Sequence, residues 1–344
     1  MEIKKLTEIC NPKQWKTIPT SELIEIGYPV YGANGIIGFY NEYNHDNETI
    51  AITCRGATCG TVNLTCPKAY ITGNAMCLDD INDTVLLEYL FYAMKAYDFS
   101  KIISGSAQPQ ITRQGLEKVE VVIHPKQKQK QIVLELQNVD SLITARHEQL
   151  ARLDELVKSR FIEMFGNPIT NSKCLPINNL GKVLLLKAGD FTAASDIAAE
   201  PTTENIYPCY GGNGIRGYVA EYNQEGSYSL IGRQGALSGN VQYAKGKFKN
   251  TEHALLATPL IEMNSIWLNH LLINLDLQRY QTGAAQPGLS VKNLQEIPII
   301  EVPKEDQNQF AAFVEQIDKS KFEIQKSLEK LETLKKALMQ KYFG

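Results

Sequence analysis

The sequence lacks the features that mark a protein as secreted, bound to a membrane or stabilised by a metal ion. Its seven cysteines include no Cys-x-x-Cys pair, so we expect reduced thiols and no metal centre. The most apolar runs, at residues 86–94 and 266–277, are interrupted by Glu, Asn, His or Asp. Neither run can span a bilayer, and the amino end carries no apolar signal segment. These absences predict a cytoplasmic protein.

The chain also lacks an excess of positive charge. It carries 35 lysine and arginine residues against 38 acidic residues, a formal net charge of −3. No basic arm or polycationic block is present in the sequence. A nucleic-acid partner would therefore have to be bound through a few locally placed cations, or together with another subunit.

What the chain does contain is an internal duplication. Tyr-Pro-Val-Tyr-Gly-Ala-Asn-Gly at residues 28–35 returns as Tyr-Pro-Cys-Tyr-Gly-Gly-Asn-Gly at 207–214, an offset of 179 residues. Gly-Ser-Ala-Gln-Pro at 105–109 returns as Gly-Ala-Ala-Gln-Pro at 283–287, an offset of 178. A period near half the chain is too long for a solenoid. It predicts two similar domains whose surfaces are related by pseudo-twofold symmetry.

Four segments follow from this duplication. Residues 1–125 and 169–302 predict α+β domains, with short apolar strands between Gly and Asn turns and one amphipathic helix each, at 84–99 and 260–276. Residues 126–168 and 303–344 predict long helices, the first ended by Gly166 and Pro168. Sustained heptad spacing predicts a coiled coil rather than isolated amphipathic helices, and an antiparallel pairing of the two helices buries both seams. The predicted seam residues are Leu136, Val139, Ile143, Leu150, Leu153, Val157, Val314, Ile317, Ile324, Leu328, Leu331 and Leu338.

This arrangement resembles the specificity subunits of type I restriction–modification systems over essentially the whole chain. The resemblance is carried by Tyr-Gly-x-Asn-Gly-x-x-Gly at 31–38 and 210–217, and by Ala-Gln-Pro at 107–109 and 285–287. Leu-Ala-Arg-Leu-Asp-Glu-Leu-Val at 150–157, followed by Met-Phe-Gly at 164–166, completes it. The chain is somewhat short for that family, which leaves the exact domain edges open.

The resemblance implies that DNA recognition and catalysis are carried out by different subunits. Each globular domain would be a target recognition domain for one half of a bipartite, asymmetric DNA sequence. The helices would set the distance between the half-sites and dock two methyltransferase subunits, with restriction subunits added where a nuclease exists. The chain has no Asn-Pro-Pro-aromatic motif, no methyl-donor loop and no phosphate-binding loop. We therefore expect no catalytic residues and no cofactor here, and S-adenosylmethionine, ATP and Mg²⁺ in the partner subunits.

The candidate DNA contacts are side chains that can recognise bases or the backbone of DNA, because Arg pairs with guanine and Asn or Gln with adenine. In the first domain they are Tyr31, Asn34, Arg55, Gln108, Gln110 and Arg113; in the second they are Tyr210, Asn213, Arg216, Arg233, Gln234 and Gln286. Each has a structural alternative, because Asn-Gly is also a hairpin turn and Ala-Gln-Pro a structured loop. Positions that differ between the copies, above all Arg216 and Arg233, are the stronger candidates for sequence discrimination.

Two other functions stay open at the level of sequence. One is a coiled-coil scaffold whose two domains bind a partner other than nucleic acid, which the acidic balance favours. The other is the recognition subunit of a system that methylates DNA without a nuclease.

Overall fold

The structure is a computed structural model that describes residues 2–33, 35–105, 108–283 and 287–344. The chain divides into two compact units. The first contains Met1–His147 and Lys326–Gly344, and the second contains Glu148–Gln325. Each unit therefore holds one globular domain and parts of both long helices. The domain edges predicted from the sequence remain predictions.

Among the described residues, the first unit contains nine strands and three short helices, and the first long helix starts in it. The strands are β1 (Glu2–Lys5), β2 (Asn11–Gln14), β3 (Tyr28–Gly32), β4 (Gly35–Tyr40), β5 (Ile50–Thr53), β6 (Val62–Leu64), β7 (Tyr70–Ile71), β8 (Ala75–Asp79) and β9 (Glu120–Ile123). The helices are α1 (Leu6–Ile9), α2 (Leu87–Ala96), α3 (Arg113–Leu116) and α4 (Lys126–Phe165).

The second unit repeats these elements in the same order. Its strands are β10 (Ile177–Asn179), β11 (Leu184–Ala188), β12 (Tyr207–Gly211), β13 (Gly214–Val219), β14 (Gln224–Gly232), β15 (Val241–Asn250), β16 (Ala254–Pro259) and β17 (Pro298–Ile300). Its helices are α5 (Leu180–Val183), α6 (Ser265–Asn274), α7 (Val291–Gln295) and α8 (Lys304–Phe343). The α+β class and the duplication predicted from the sequence are confirmed.

The sheets of the two units differ in one respect. In the first unit β2, β8, β5 and β6 form an antiparallel sheet, while β4, β3 and β7 form a separate one in which β3 and β7 are parallel. In the second unit β15 is a continuous ten-residue strand that pairs with both β14 and β12. β15 takes the positions that β6 and β7 occupy in the first unit. The second unit therefore has one six-stranded sheet where the first unit has a four-stranded and a three-stranded sheet.

The short helix of each domain is confirmed, but both are shorter than the spacing predicted. In the first unit the Asn82 side chain accepts the backbone N–H of Thr84, which keeps the segment before α2 in a turn. In the second unit Asn264 caps α6 by accepting from the N–H groups of Ile266 and Trp267. The cap at Asn264 makes α6 begin later than the apolar run indicates, whereas α2 begins after Leu86, whose side chain makes no cap bond.

A buried glutamine attaches each long helix to its domain. Gln129 in the first turn of α4 accepts from the backbone N–H of Leu86 at 2.9 Å. It donates to the carbonyl oxygens of Thr84 and His124 at 3.0 and 2.8 Å. Both Gln129 and its counterpart in α8 are buried, and these bonds satisfy backbone groups at the start of α2.

Gln307 makes the equivalent contacts in the second unit. Its side chain accepts from the N–H of Asn264 and donates to the carbonyl of Val302, both at 2.8 Å. This pair is not among the residues predicted from the sequence, although Pro-Lys-x-x-Gln at 125–129 and 303–307 obeys the 178-residue offset.

In the part of the chain that the structure describes, none of the helices combines the length and the apolar character that a membrane span requires.

Candidate nucleic-acid interface

A hairpin occupies the same place in both units. It pairs β3 with β4 and β12 with β13, and the second strand begins at a glycine with a positive φ, +81° at Gly35 and +100° at Gly214. Glycine adopts this backbone without strain, and in the second unit Gly212 and Asn213 form the turn before it. Asn34 lies outside the described residues. Asn213 is exposed, and its Oδ1 accepts from Asn240 Nδ2 at 2.8 Å.

In the first unit, three loops meet at this hairpin tip. The hydroxyls of Thr53 and Thr58 both donate to the carbonyl oxygen of Ala33, at 2.7 and 2.8 Å. These bonds hold the loop after β5 against the hairpin turn. The same loop contacts the segment before α3, where the N–H of Gly56 donates to the carbonyl of Pro109 at 3.1 Å. We call this group, residues 33, 53–60, 104–105 and 108–110, the first loop cluster.

The second unit builds its loop cluster, residues 212–213, 232–240, 282–283 and 287–289, from the equivalent segments. The N–H of Gly235 donates to the carbonyl of Pro287 at 2.9 Å, matching the bond of Gly56 in the first unit. The backbone of Arg233 is held on both sides: its N–H donates to His253 and its carbonyl accepts from Leu289. The loops are therefore fixed by backbone hydrogen bonds, which leaves the side chains at their tips to vary.

Five of the twelve predicted contact residues, Arg55, Gln108, Gln110, Asn213 and Gln234, lie exposed on these loops. Arg55 and Gln110 face each other across an isolated β-bridge, and Gln234 pairs with Gly288 in the same way. Arg233 is half-buried. Gln286 lies outside the described residues. The exposed candidates are Arg55, Gln108, Gln110, Arg113, Asn213, Arg216 and Gln234.

The two tyrosines are placed differently from what a DNA contact requires. Tyr31 is only 8% exposed, and its hydroxyl accepts from the N–H of Cys66 at 3.2 Å. Tyr210 is half-buried and packs edge-on against Phe248, with 5.5 Å between ring centroids. Burial raises the pKa of both phenols. Both side chains belong to the domain cores, so the structure does not favour them as contacts to DNA.

Two arginines lie outside the loop clusters. Arg113 Nη2 donates to Asn11 Oδ1 at 3.2 Å, and Asn11 pairs with Asp79, the end of β8 remote from the first loop cluster. Arg216 lies on β13, where its side chain crosses Gly211 so closely that a Cβ there would lie 2.5 Å from Arg216 Cδ. The Arg216 side chain therefore lies along the hairpin and is exposed to solvent.

A pair of asparagines that sequence analysis missed holds the hairpin to its sheet. Asn44 Oδ1 accepts from the N–H of Ile71 at 2.9 Å, and its Nδ2 donates to the carbonyl of Ile71 at 3.0 Å. Asn223 does the same with Asn250 in the second unit. Glu-Tyr-Asn at 42–44 and 221–223 carries the 179-residue offset, so the duplication itself was a usable signal.

The long helices pair antiparallel in the first unit. Asp140 Oδ1 of α4 lies 2.5 Å from Lys335 Nζ of α8, and Glu135 Oε2 accepts from the hydroxyl of Tyr342 at 2.6 Å. The earlier α4 residue meets the later α8 residue, which defines the antiparallel direction. The Tyr92 hydroxyl also donates to Asp140, at 2.8 Å, and joins α2 to the pair.

The second unit shows the same pairing direction. Asp154 pairs with Lys321, and the rings of Phe161 and Phe310 meet edge to face at 5.4 Å. Across both units, all twelve predicted seam residues are buried or half-buried, as a packed seam requires. The two lysines occupy seam gaps and reach acidic partners on the facing helix.

The comparisons with known proteins identify the family. Residues 1–155 and 176–336 match the family described as type I restriction modification DNA specificity domain. The type I restriction enzyme EcoprrI specificity subunit of Escherichia coli is 43% identical over 139 residues, which is 40% of this chain and 35% of that protein. The chain thus covers about a third or less of the length of the curated relatives it matches.

Solved structures share the fold along the whole chain. A type I restriction–modification system S subunit from M. genitalium superposes with a TM-score of 0.67 at 19% identity, covering 100% of this chain and 96% of that one. A chain from work on complex assembly and conformational transition of the type I R-M system gives 0.58 at 16% identity, covering 99% and 97%. At these identities the likeness concerns the fold, while the family match rests on sequence. The chain belongs to the type I restriction modification DNA specificity domain family.

Proposed function

We propose that this chain is the DNA-recognition subunit of a type I restriction–modification complex. It is not itself an enzyme, and each of its units recognises one half of a bipartite, asymmetric target. The observation that carries the proposal is that both units build the same loop cluster on the same backbone hydrogen bonds, and that Arg and Gln side chains cover its tips. Such a function places the chain in the cytoplasm with the DNA it serves.

The equivalent positions of the two clusters carry different base-recognising chemistry. Arg55 occupies the place in the first cluster that Gln234 occupies in the second. Arg binds the O6 and N7 atoms of guanine, whereas Gln binds N6 and N7 of adenine. Beside them, Cys54 is fully buried while Arg233 is half-exposed, and exposed Arg216 stands where the first unit has Ile37. Two units that differ in this way suit two different half-sites.

The helices supply the spacer and the docking surface in this proposal. As the spacer in this proposal, the helices set the gap between the two half-sites, which two-part DNA-binding proteins often recognise about one turn of DNA apart. Exposed apolar side chains on α4 and α8, such as Leu134 and Phe322, offer contact area to two methyltransferase subunits and, where a nuclease exists, to restriction subunits. S-adenosylmethionine, ATP and Mg²⁺ belong to those partners, because base methylation requires flipping the base into a catalytic pocket.

Co-expression with the cognate methyltransferase followed by methylome sequencing tests the proposal. A complex of two methyltransferase chains with one copy of this chain, and one split methylated motif, are expected. Exchanging residues 169–302 for another such domain should change one half of the motif only. Inserting a short helical segment within residues 152–158 should change the gap and leave both halves intact. Changes in both halves after the domain exchange would contradict recognition by separate units.

The same experiment separates the alternatives. A scaffold for a partner other than nucleic acid would yield no methylated motif and no stable complex. A methylation-only system would yield the motif but would not restrict unmodified phage DNA when every cognate subunit is present.

A further inference from the structure

Three side chains that commonly bind transition metals meet in the first unit. They are His45 before β5, and Cys77 and Asp79 on β8, and their ligand atoms all lie within 4.8 Å of one another. Cys77 and Asp79 are two apart in a strand, so both project from the same face. Cys77 is fully buried, and the side chains of His45 and Asp79 are only 11% and 13% exposed.

The hydrogen bonds around His45 fix which ring nitrogen is free to bind a cation. Ile71 holds the Asn44 amide by two bonds, so the amide oxygen is the atom that faces the ring. That oxygen lies 2.7 Å from His45 Nδ1, which must therefore carry a proton and donate. In the neutral ring, Nε2 then presents its lone pair, the arrangement in which histidine binds metals.

This lone pair faces another acceptor. His45 Nε2 lies 3.0 Å from Asp79 Oδ1, while Asp79 Oδ2 accepts from Trp15 Nε1 at 3.1 Å. Two acceptors at that distance inside a protein repel each other unless a cation lies between them or beside them. A second proton on the ring would serve that purpose too, but a metal ion would in addition be within reach of the Cys77 sulfur, which lies within 4.8 Å of the other two ligand atoms.

We propose that His45, Cys77 and Asp79 bind one Zn²⁺ ion. One imidazole, one thiolate and one carboxylate form a donor set of the kind zinc takes. Asn44 and Trp15 orient two of the ligands from outside, as supporting residues do at metal sites. His45 and Asp79 also line a surface cavity of about 600 Å³, from which water completes the tetrahedron.

The second unit retains one of the two supporting residues but not the ligands. Asn223 holds its neighbouring strand just as Asn44 does. At the positions equivalent to the three ligands the second unit has Gln224, Leu256 and Thr258. The ligands are absent together, so the site is particular to the first unit, where it ties the segment before β5 to β8. The proposal is independent of the proposed function.

The test is zinc binding by the full chain, purified without a histidine tag. Metal analysis should find one zinc per chain, and titration against a chromogenic chelator should give its affinity. His45→Gln, Cys77→Ser and Asp79→Asn should each weaken binding by more than about 100-fold, because outer partners alone are worth 10–100-fold. Cys209→Ser, at a buried strand cysteine of the second unit, is the matched control and should bind as the wild type does.

Cobalt gives a readout that a merely structural cysteine would not affect. Co²⁺ bound to the wild type should show a thiolate-to-metal charge-transfer band, which Cys77→Ser removes and Cys209→Ser retains. Folded wild-type protein that holds no zinc, and binds it no better than Cys77→Ser does, would overturn the proposal. A doubly protonated His45 paired with Asp79 would then account for the geometry.

Discussion

Replacing Gln129 by Met tests how the long helices are attached to their domains. Methionine keeps the length and most of the volume of the side chain but none of its hydrogen bonds. Three backbone groups, the N–H of Leu86 and the carbonyls of Thr84 and His124, then lose their partner. An unsatisfied buried backbone group costs about 1–3 kcal/mol, and we take the lower bound because Thr84 is exposed to water. The expected loss of unfolding free energy is therefore about 3 kcal/mol.

The duplication provides an internal comparison. Gln307→Met removes two such bonds, to Asn264 and Val302, and should cost about 2 kcal/mol by the same estimate. Gln137, exposed on α4, serves as the control, and Gln137→Met should change stability by less than about 0.5 kcal/mol. The losses of unfolding free energy caused by Gln129→Met and Gln307→Met should differ by roughly the contribution of one hydrogen bond.

The two tryptophans allow each unit to be followed separately. Trp15 lies in the first unit and Trp267 in the second, and the chain has no other. Urea unfolding of Gln129→Met is measured by fluorescence in a Trp267→Phe background, and that of Gln307→Met in a Trp15→Phe background. Equal effects for Gln129→Met and the Gln137→Met control would refute the argument that the buried amide holds the helix.

Three further predictions concern charge and recognition. Burial lowers the pKa of His270 from 6.5 to about 4, with the charge of Lys321 as a second cause. The free energy of unfolding should therefore be at its full value above pH 6.5, the pKa of the unfolded state, and should fall by about 2 kcal/mol as the pH drops to about 5. Urea titration of wild type and His270→Gln checks this, and an unchanged pH dependence would contradict it. A double-mutant cycle on Asp140 and Lys335, each about a third exposed, should give a coupling of about 0.5–1 kcal/mol that salt reduces. Arg216→Ala should weaken binding of the complex to its target by about 1–3 kcal/mol and leave the other half-site's discrimination intact, as measured by fluorescence anisotropy.

The parts of the fold that local sequence determines were predictable. The heptad spacing gave both long helices, and the first of them ends at Phe165 before Gly166, whose φ is +75°. The Asn-Gly hairpin turns follow in the same way from the backbone preference of glycine. The fusion of two short strands into β15 was not predictable, because it depends on pairing with strands that are distant in the sequence.

The candidate interface was only partly predictable, because residue type does not report burial. Tyr31 and Tyr210 carry an apolar ring and a polar hydroxyl, so sequence alone permits either a core position or a contact with DNA. Asn44 and Gln129 look like surface polar residues, yet each satisfies backbone groups from another segment. Burying such an amide is favourable only when its partners are in place, and those partners are known only from the fold.

The duplication is most informative when the residues that the two copies share are considered separately from those that differ between them. Residues that the copies share, such as Asn44 with Asn223 and Gln129 with Gln307, make the internal bonds that both units need to fold. Because those bonds use mainly the backbone of the loops, a side chain at a loop tip can change without loss of the scaffold. Under the proposed function, selection for two different half-sites can therefore act on Arg55 and Gln234 independently. Differences on a fixed backbone, rather than shared motifs, are where sequence discrimination is to be sought.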